Sequence, residues 1–526
     1  MKSEQKIVSF DIFDTLIERR LFSPCDIFSY IEHKTQKVGF AKWRKRAEIT
    51  AKAKLHKQVT INEIYQFAPA LYKNLIEEEL EAEEKFSSAN AEIKALFEDY
   101  KKFGYTIVCI SDMYLPSSFL KELLLKKGYS GIDKIYVSCE HNKTKLFGGL
   151  YKRVYSDLKI RPENLTHIGD NRLTDYFVPT CLGINCRHYQ VQKKSFYRSQ
   201  PYLRRFYKKH SDLAHSVITN IIASQGKRNI GLRSFGFNIA GPMVLSYSVF
   251  IANKCRDEGI DTVLLLSRDG YYIQKCLNCF FKHLNTEYVY APRMQYYITH
   301  YDTDFRDPTI PKGILSYYNI KAIFKSLYII HHKTQLTRLF EAERCKLNYS
   351  AYIQAKTTKA KSFCIVEGTS GRRTSQKFIQ KELNKTIPTF YIQCLPYIRE
   401  KQVPSIPFLH FPKHFIMNRI NRSRFIEKIF TSPDKSANFI NGDGKISYSK
   451  ESTNDIYREK KYHHIETGMT DFFNEVMSYS DIIDVFKDNK VFEDMLLTFS
   501  IYDRKNYKKI FKKLKMDKWY LYDKEE

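Results

Sequence analysis

The chain has 526 residues, 43% hydrophobic and 27% charged, a length too great for one ordinary core and a composition that implies two or three globular domains. Its net charge of +28 implies an anionic partner, which is nucleic acid, an anionic bilayer face or a phosphorylated substrate. Eleven cysteines lie scattered without the paired spacing of a disulfide framework or a four-ligand zinc site, which excludes both kinds of scaffold.

Lys6 to Phe10 reads as a short buried strand with acids at its carboxyl end, the end that faces the ligand crevice in an open parallel sheet. The first residues lack the regions of a signal peptide, so a cytoplasmic protein is expected. From about Pro24 to Tyr100 the pattern is helical and reads as an insertion over the mouth of the sheet. YTIVCISD returns to a strand, SSFLKELLLKKGY is an amphipathic helix ending at Gly128, and KIYVSCE and THIGDN are further strands. The alternation predicts a doubly wound, Rossmann-like parallel sheet over residues 1–187, with a helical cap at about 24–98.

Residues 188–230 are basic and aromatic and read as a linker or docking segment. A second alternation over 231–440 predicts another α/β domain, and 441–526 reads as a helical, basic region. The longest apolar stretch, near Ala240–Ala252, is too short to span a bilayer. Cys276 and Cys279 form the one tight cysteine pair and read as helix packing.

Four features of the first domain fall at strand ends. Asp11 follows the first strand and Ser111 the second, Lys145 opens a helix, and Asp170 and Asp175 sit in GDNRLTD. A carboxylate can attack phosphorus, a hydroxyl and an ammonium can hold phosphoryl oxygens, and further carboxylates can hold magnesium.

Taken in order, DIFDT, the run ending in Ser111, Lys145 with Gly148 behind it, and GDNRLTD resemble the four motifs of the haloacid dehalogenase superfamily. The resemblance implies that Asp11 is the nucleophile and that Ser111 and Lys145 bind the phosphoryl group. It implies a Mg2+ site formed by Asp11, the Phe13 position, Asp170 and Asp175, with Thr15 and Asn171 toward the substrate. Phosphatases of this superfamily usually carry a second Asp two residues after the nucleophile. That place is Phe13 here, and Asp14 is the nearest acid, read either as a catalytic group or as a turn or cap residue.

In the second domain, LLLSRDGYYIQKC places Arg268, Asp269 and Gly270 between a strand and a helix. CIVEGTSGRRTSQKF places Glu367, Gly368, Thr369, Ser370, Gly371 and Thr374 similarly, with Arg372 and Arg373 between, and YAPRMQ offers Arg293. These loops resemble those of a type I phosphoribosyltransferase. The whole chain resembles bacterial enzymes in which a phosphatase domain and a phosphoribosyltransferase-like domain install ribofuranose in surface polysaccharides such as O-antigen or capsule. That resemblance implies phosphoribosyl pyrophosphate (PRPP) or another phosphorylated sugar as donor and a lipid-linked glycan as acceptor. RFIEKIFTSPDKSANF, with Glu427, looks like a shared segment with no assigned role.

Near the C-terminus, Lys508, Lys509, Lys512, Lys513 and Lys515 alternate with Ile510, Phe511 and Leu514, followed by Trp519. This basic amphipathic pattern suits peripheral contact with an anionic membrane, or packing on the body through its apolar stripe. No nucleic-acid-binding motif accompanies the charge. The competing readings are a stand-alone phosphatase or dehalogenase whose second domain binds a glycan or nucleotide sugar, and a non-catalytic binding protein.

Overall fold

The computed structural model describes residues 6–210, 212–225, 231–292, 295–296, 299, 335–370, 373–394, 405–409, 425–434, 437–448 and 453–513. For some of these, including Thr369 and Ser370, only the backbone is described. The chain divides into two compact units, residues 1–226 and 227–526.

In the first unit, β1 (Ile7–Phe10) is wholly buried, as an apolar run covered on both faces requires. It lies at the centre of a parallel sheet in the order β5-β4-β1-β6-β7. Phe10 pairs with Cys109 of β4 (Thr106–Ser111) and with Ile168 of β6 (Leu165–Gly169), and β5 (Lys134–Val137) and β7 (Asn185–His188) flank these. From β1 the chain builds outward through β4 and β5, then returns to the other side as β6. The loops after β1 and β6 therefore diverge, and a crevice opens between them.

The cap enters and leaves through a ribbon of β2 (Ile17–Arg19) and β3 (Ser87–Ala89), paired antiparallel. Between these strands lie α1 (Asp26–Thr35), α2 (Phe40–Leu55), α3 (Ile61–Gln66) and α4 (Ile76–Lys85). The expected cap limit near residue 98 is thus corrected to the ribbon. The next helix, α5 (Ala91–Lys102), belongs to the body, where Phe97 packs on Phe10 with ring centroids 5.7 Å apart. Arg44 of α2 and Glu79 of α4 are buried together in the cap with two bonds of 2.7 Å, and the Tyr65 hydroxyl donates to Glu79 at 2.7 Å.

The body continues with α6 (Ser117–Lys126), α7 (Ser138–His141), α8 (Gly149–Leu158) and α9 (Val178–Cys181). Of residues 188–230, expected as a linker, most of 192–224 instead forms three helices of the first unit: α10 (Gln192–Ser199), α11 (Pro201–His210) and α12 (Leu213–Ser224). The reason lies in the apolar side of this basic segment. Phe196, Tyr202, Leu203 and Phe206 are all buried, and nearly all of α12 is buried as well.

The second unit has its own parallel sheet, β12-β11-β10-β8-β9. β8 (Thr262–Leu266) lies between β9 (Asn285–Val289) and β10 (Phe363–Ser370), with β11 (Thr389–Cys394) and β12 (Ser405–Pro407) beyond β10. Among described strands this is the 2-1-3-4-5 order of doubly wound sheets, with its reversal between β8 and β10. The apolar stretch judged too short for a membrane belongs to a helix that runs from Leu232 to Asp257. Its 26 residues are long and apolar enough to cross a bilayer by length and composition alone, and its most apolar window is 89% buried inside the fold. Cys276 is buried and Cys279 half-buried on one helix, and the described cysteines are free thiols.

Candidate active site

At the end of β1 the Asp11 N–H donates to the Ile168 carbonyl at 2.9 Å, which carries the chain one residue further along β6. A tight turn follows. Ile17 donates to the Ile12 carbonyl at 2.8 Å, Asp14 donates to the Ile17 carbonyl at 2.7 Å, and Asp14 takes φ +62. Aspartate is among the few side chains that tolerate this left-handed conformation. Asp14 is therefore a turn residue in its backbone, whatever its carboxylate does.

Lys145 lies buried between two carboxylates, its Nζ 2.6 Å from Asp11 Oδ1 and 2.6 Å from Asp175 Oδ1. Asp112 holds the lysine's backbone, accepting from the Lys145 N–H at 3.0 and 3.1 Å. Asp175 is fixed through its other oxygen by the Asn171 N–H at 3.0 Å. It also lies so close to the strand that a Cβ at Gly169 would come within 2.6 Å of it, so the GD pair requires glycine. Asn171 is exposed, and its side-chain oxygen caps the turn by accepting from the Leu173 and Thr174 N–H groups. Thr15 is fully buried, with its hydroxyl 3.5 Å from Asp11 Oδ2, so it faces the nucleophile candidate from inside the fold. Ser111 ends β4 beside Asp11, and its hydroxyl makes no hydrogen bond among the described residues.

Charges here are strongly perturbed. Burial pushes the Asp11 carboxyl up to about 7 although Lys145 opposes the rise, and the neighbouring Asp175 and Asp170 add to it. Burial acts on Asp175 too, but Lys145 and His167 hold it well below the usual carboxylate range. Burial also keeps the His167 imidazole below its ordinary value. Neutral His167 has Nδ1 2.8 Å from the Ser9 hydroxyl, and Nε2 faces Asp175 at 3.5 Å. The tautomer that suits both neighbours accepts from Ser9 and carries its proton toward Asp175.

Asp11, Asp170 and Asp175 each present one oxygen, and these atoms lie within 4.8 Å of one another. An all-oxygen, anionic donor set at this spacing fits a hard divalent cation such as magnesium, which keeps waters for its remaining positions. Nothing among the described residues donates to the Phe13 carbonyl. Its side chain is a different matter. The Phe13 ring lies under the Arg19 guanidinium at 3.9 Å, and Arg19 in turn makes two bonds of 3.3 Å to the buried Glu83 of the cap.

Several site residues escaped the sequence reading. Asp112 directly follows Ser111, and His167 sits inside THIGD. Asn90 caps α5 and donates to the Thr15 carbonyl at 2.9 Å, and its signal is an Asn before a helical run. Lys194 of α10 reaches Asp170 at 2.7 Å and Asp14 at 2.8 Å. Asp14 is desolvated, yet Lys194, Lys193 and Arg19 hold it below the usual range.

In the second unit, Glu367, Gly368, Thr369 and Ser370, expected in a loop, are instead the last residues of β10, paired with β11, and Gly368 meets the loop after β8 at the sheet's reversal. Gly368 lies against the Asp269 carboxylate so closely that no side chain fits there. Ser375 donates to Glu367 at 3.4 Å, and Thr374 opens the helix beyond the loop. Arg268 takes φ +73, its N–H donating to the Tyr288 hydroxyl at 2.8 Å, and Tyr288 donates to Asp434 at 2.8 Å. The Ser432 N–H donates to the Arg268 carbonyl at 3.1 Å, so the SPD stretch after Glu427 joins this loop cluster. Gly270 opens the helix Tyr271–Phe280. Arg293, Gly371 and Arg372 lie outside the described residues. Of the basic tail, Ile510 is buried, and Trp519 lies outside the described residues.

No family model matches the chain, and no curated protein matches it in sequence. Among solved structures it is similar to a predicted phosphoglycolate phosphatase from Haemophilus somnus 129PT, at 13% identity and TM-score 0.26, over 36% of this chain and 89% of that one. A HAD family enzyme from Bacteroides thetaiotaomicron in a magnesium complex is similar at 17% identity and TM-score 0.28, over 36% and 95%. A HAD phosphatase from Thermococcus onnurineus is similar at 18% identity and TM-score 0.27, over 35% and 85%. These likenesses concern the N-terminal part of the chain.

Proposed function

We propose that the first unit is a magnesium-dependent phosphatase of the haloacid dehalogenase type, with Asp11 as nucleophile. The observation that carries this reading is Lys145, buried and bonded at 2.6 Å to both Asp11 and Asp175 at the sheet's crevice, with Asp170 beside them. Asp11, Asp170 and Asp175 would hold the ion, which supplies positive charge to offset phosphate and nucleophile together. Lys145 and the Ser111 hydroxyl bind the transferred oxygens. An Asp11 oxygen attacks phosphorus, the ester P–O bond breaks, and the alcohol leaves with a proton from water. A second water then cleaves the aspartyl phosphate, returning the Asp11 carboxylate and releasing phosphate.

Incubating the full chain with magnesium and a panel of sugar phosphates tests this. Phosphate release that Asp11→Asn abolishes is expected; no release from any ester would refute the reading. A dehalogenase reading has one observation in its favour, the Phe13 ring under Arg19 where a phosphatase keeps an acid. Chloride release from a 2-haloacid, without phosphatase activity, would select it.

For the whole chain the proposal is a bifunctional enzyme of surface polysaccharide synthesis. The second unit would transfer ribose 5-phosphate from PRPP to a lipid-linked glycan, and the first would remove the 5-phosphate. Support comes from the adjacent carboxyl ends of β8 and β10 at the sheet's reversal, where phosphate ligands bind doubly wound sheets, and from the net charge of +28. Pyrophosphate release from PRPP and acceptor, followed by phosphate release, is the expected sequence of products.

A further inference from the structure

We propose that Lys194 is a built-in competitor for the metal site, a positioning residue that occupies the outer carboxylate, Asp170, until a divalent cation displaces it. This rests on the metal-dependent reading of the first unit. None of the four motifs contains Lys194, which arrives from α10, beyond the last strand of the sheet.

The geometry is that of a two-position clamp. The Lys194 ammonium is 2.7 Å from Asp170 Oδ2 and 2.8 Å from Asp14 Oδ2, so it shares its charge between one carboxylate of the Asp11, Asp170 and Asp175 group and one carboxylate outside it. Its delivery is fixed by the helix that carries it. The adjacent Lys193 is buried and donates to the Arg19 carbonyl at 2.7 Å, Phe196 is buried, and the Tyr197 ring packs on Phe22 with centroids 4.4 Å apart. Lys194 itself keeps 38% of its side chain exposed, so it has room to withdraw.

A divalent cation needs Asp170 along with Asp11 and Asp175, and it cannot approach a carboxylate beside an ammonium without repulsion. If Lys194 swings wholly onto Asp14, part of the binding energy is spent on breaking the Asp170 pair. If it stays on the second oxygen, the two cations repel. Either way the lysine weakens metal binding, and Asp14 acquires a function as its alternative seat. This also accounts for an acid in the left-handed turn position where asparagine or glycine would suffice.

The test is magnesium affinity of the full-length protein, measured by titration calorimetry without substrate, for wild type, Lys194→Gln, Lys194→Arg and Asp170→Asn. Lys194→Gln is expected to bind magnesium roughly fivefold more tightly, the size of one half-exposed charge pair. Lys194→Arg is expected to stay near wild type, and Asp170→Asn to lose binding. Equal or weaker binding by Lys194→Gln, with wild-type binding still dependent on Asp170, would overturn the proposal and leave the phosphatase reading standing. Absence of binding in wild type and Lys194→Gln alike would overturn both.

Discussion

Lys145 and Asp11 form a buried ion pair of 2.6 Å although they lie 134 residues apart in the chain, Asp11 at the end of the sheet's central strand. The pair is half of a triad, since the same ammonium holds Asp175. Removing Lys145 leaves two buried carboxylates facing each other. Lys145→Met is expected to destabilise the first unit by about 3–5 kcal/mol, the cost of an uncompensated buried charge, and to lower the proposed phosphatase turnover by at least about a hundredfold. Thermal unfolding and phosphate release check the two effects separately.

The pH response of the metal-free protein follows from Asp11. Its folded pKa, raised by burial to about 7, lies above the unfolded value of about 3.9. Its contribution is therefore complete below about pH 4 and is lost as pH rises through about 7. In chelator, Asp11→Asn should match wild type near pH 4 and melt at a higher temperature near pH 8. Magnesium should reverse the order at pH 8, because the ion stabilises the ionised carboxylate that the variant lacks. Melting curves across pH with and without chelator decide it.

How much of this could be read in advance varies from residue to residue for physical reasons. Asp11, Ser111 and Asp170 were legible because each follows an apolar strand, and parallel pairing brings the carboxyl ends of such strands to one edge. The end of the cap was not legible, since Ser87–Ala89 is a three-residue strand inside a helical pattern and exists only through its pairing with Ile17–Arg19. The apolar stretch near Ala240–Ala252 reads as too short because Ser246, Tyr247 and Ser248 interrupt it, whereas the helix that carries it runs on from Leu232 to Asp257, and burial inside the fold accommodates those polar groups. Lys194 was invisible because a lysine pair in a basic segment looks the same whether solvated or clamped to carboxylates far back in the chain.

The cap carries a separable prediction. Arg44 and Glu79 are 1% and 0% exposed, and Arg44 also lies over the rings of Phe28 and Tyr114 at 4.7 and 4.6 Å. Arg44→Met alone strands Glu79 and should cost about 3–5 kcal/mol, whereas Arg44→Met with Glu79→Leu should recover most of that. Protease sensitivity of the cap in the full chain reads the difference. Equal sensitivity of single and double variants would show that the pair is not the source of the loss.

Gly169 offers a test of how tightly the site is built. A methyl group there would meet Asp175 at 2.6 Å, and Asp175 cannot retreat without releasing Lys145 and the Asn171 N–H. Gly169→Ala is expected to cost about 1–3 kcal/mol through overpacking and to reduce turnover at least as much as Asp175→Asn does. A variant with unchanged stability and activity would mean that Asp175 has more freedom than these contacts allow.

Phe13→Asp would put a carboxyl where the phosphatases that the first unit's motifs resemble usually carry their acid, yet under the proposed phosphatase reading a gain in acid catalysis is not the expected outcome. The Phe13 ring sits 3.9 Å beneath the Arg19 guanidinium, so a carboxylate in its place meets a buried cation held by Glu83. An adjacent cation favours the ionised form and lowers the new group's pKa, which makes it a poor proton donor near neutrality. The variant also gives up the ring's contact with Arg19, worth about 0.5–2 kcal/mol. Turnover of sugar phosphates by Phe13→Asp should therefore stay within about threefold of wild type from pH 5 to 8, whereas Phe13→Asp with Arg19→Leu and Glu83→Leu should exceed it. A large gain from Phe13→Asp alone would show that Arg19 does not govern this position.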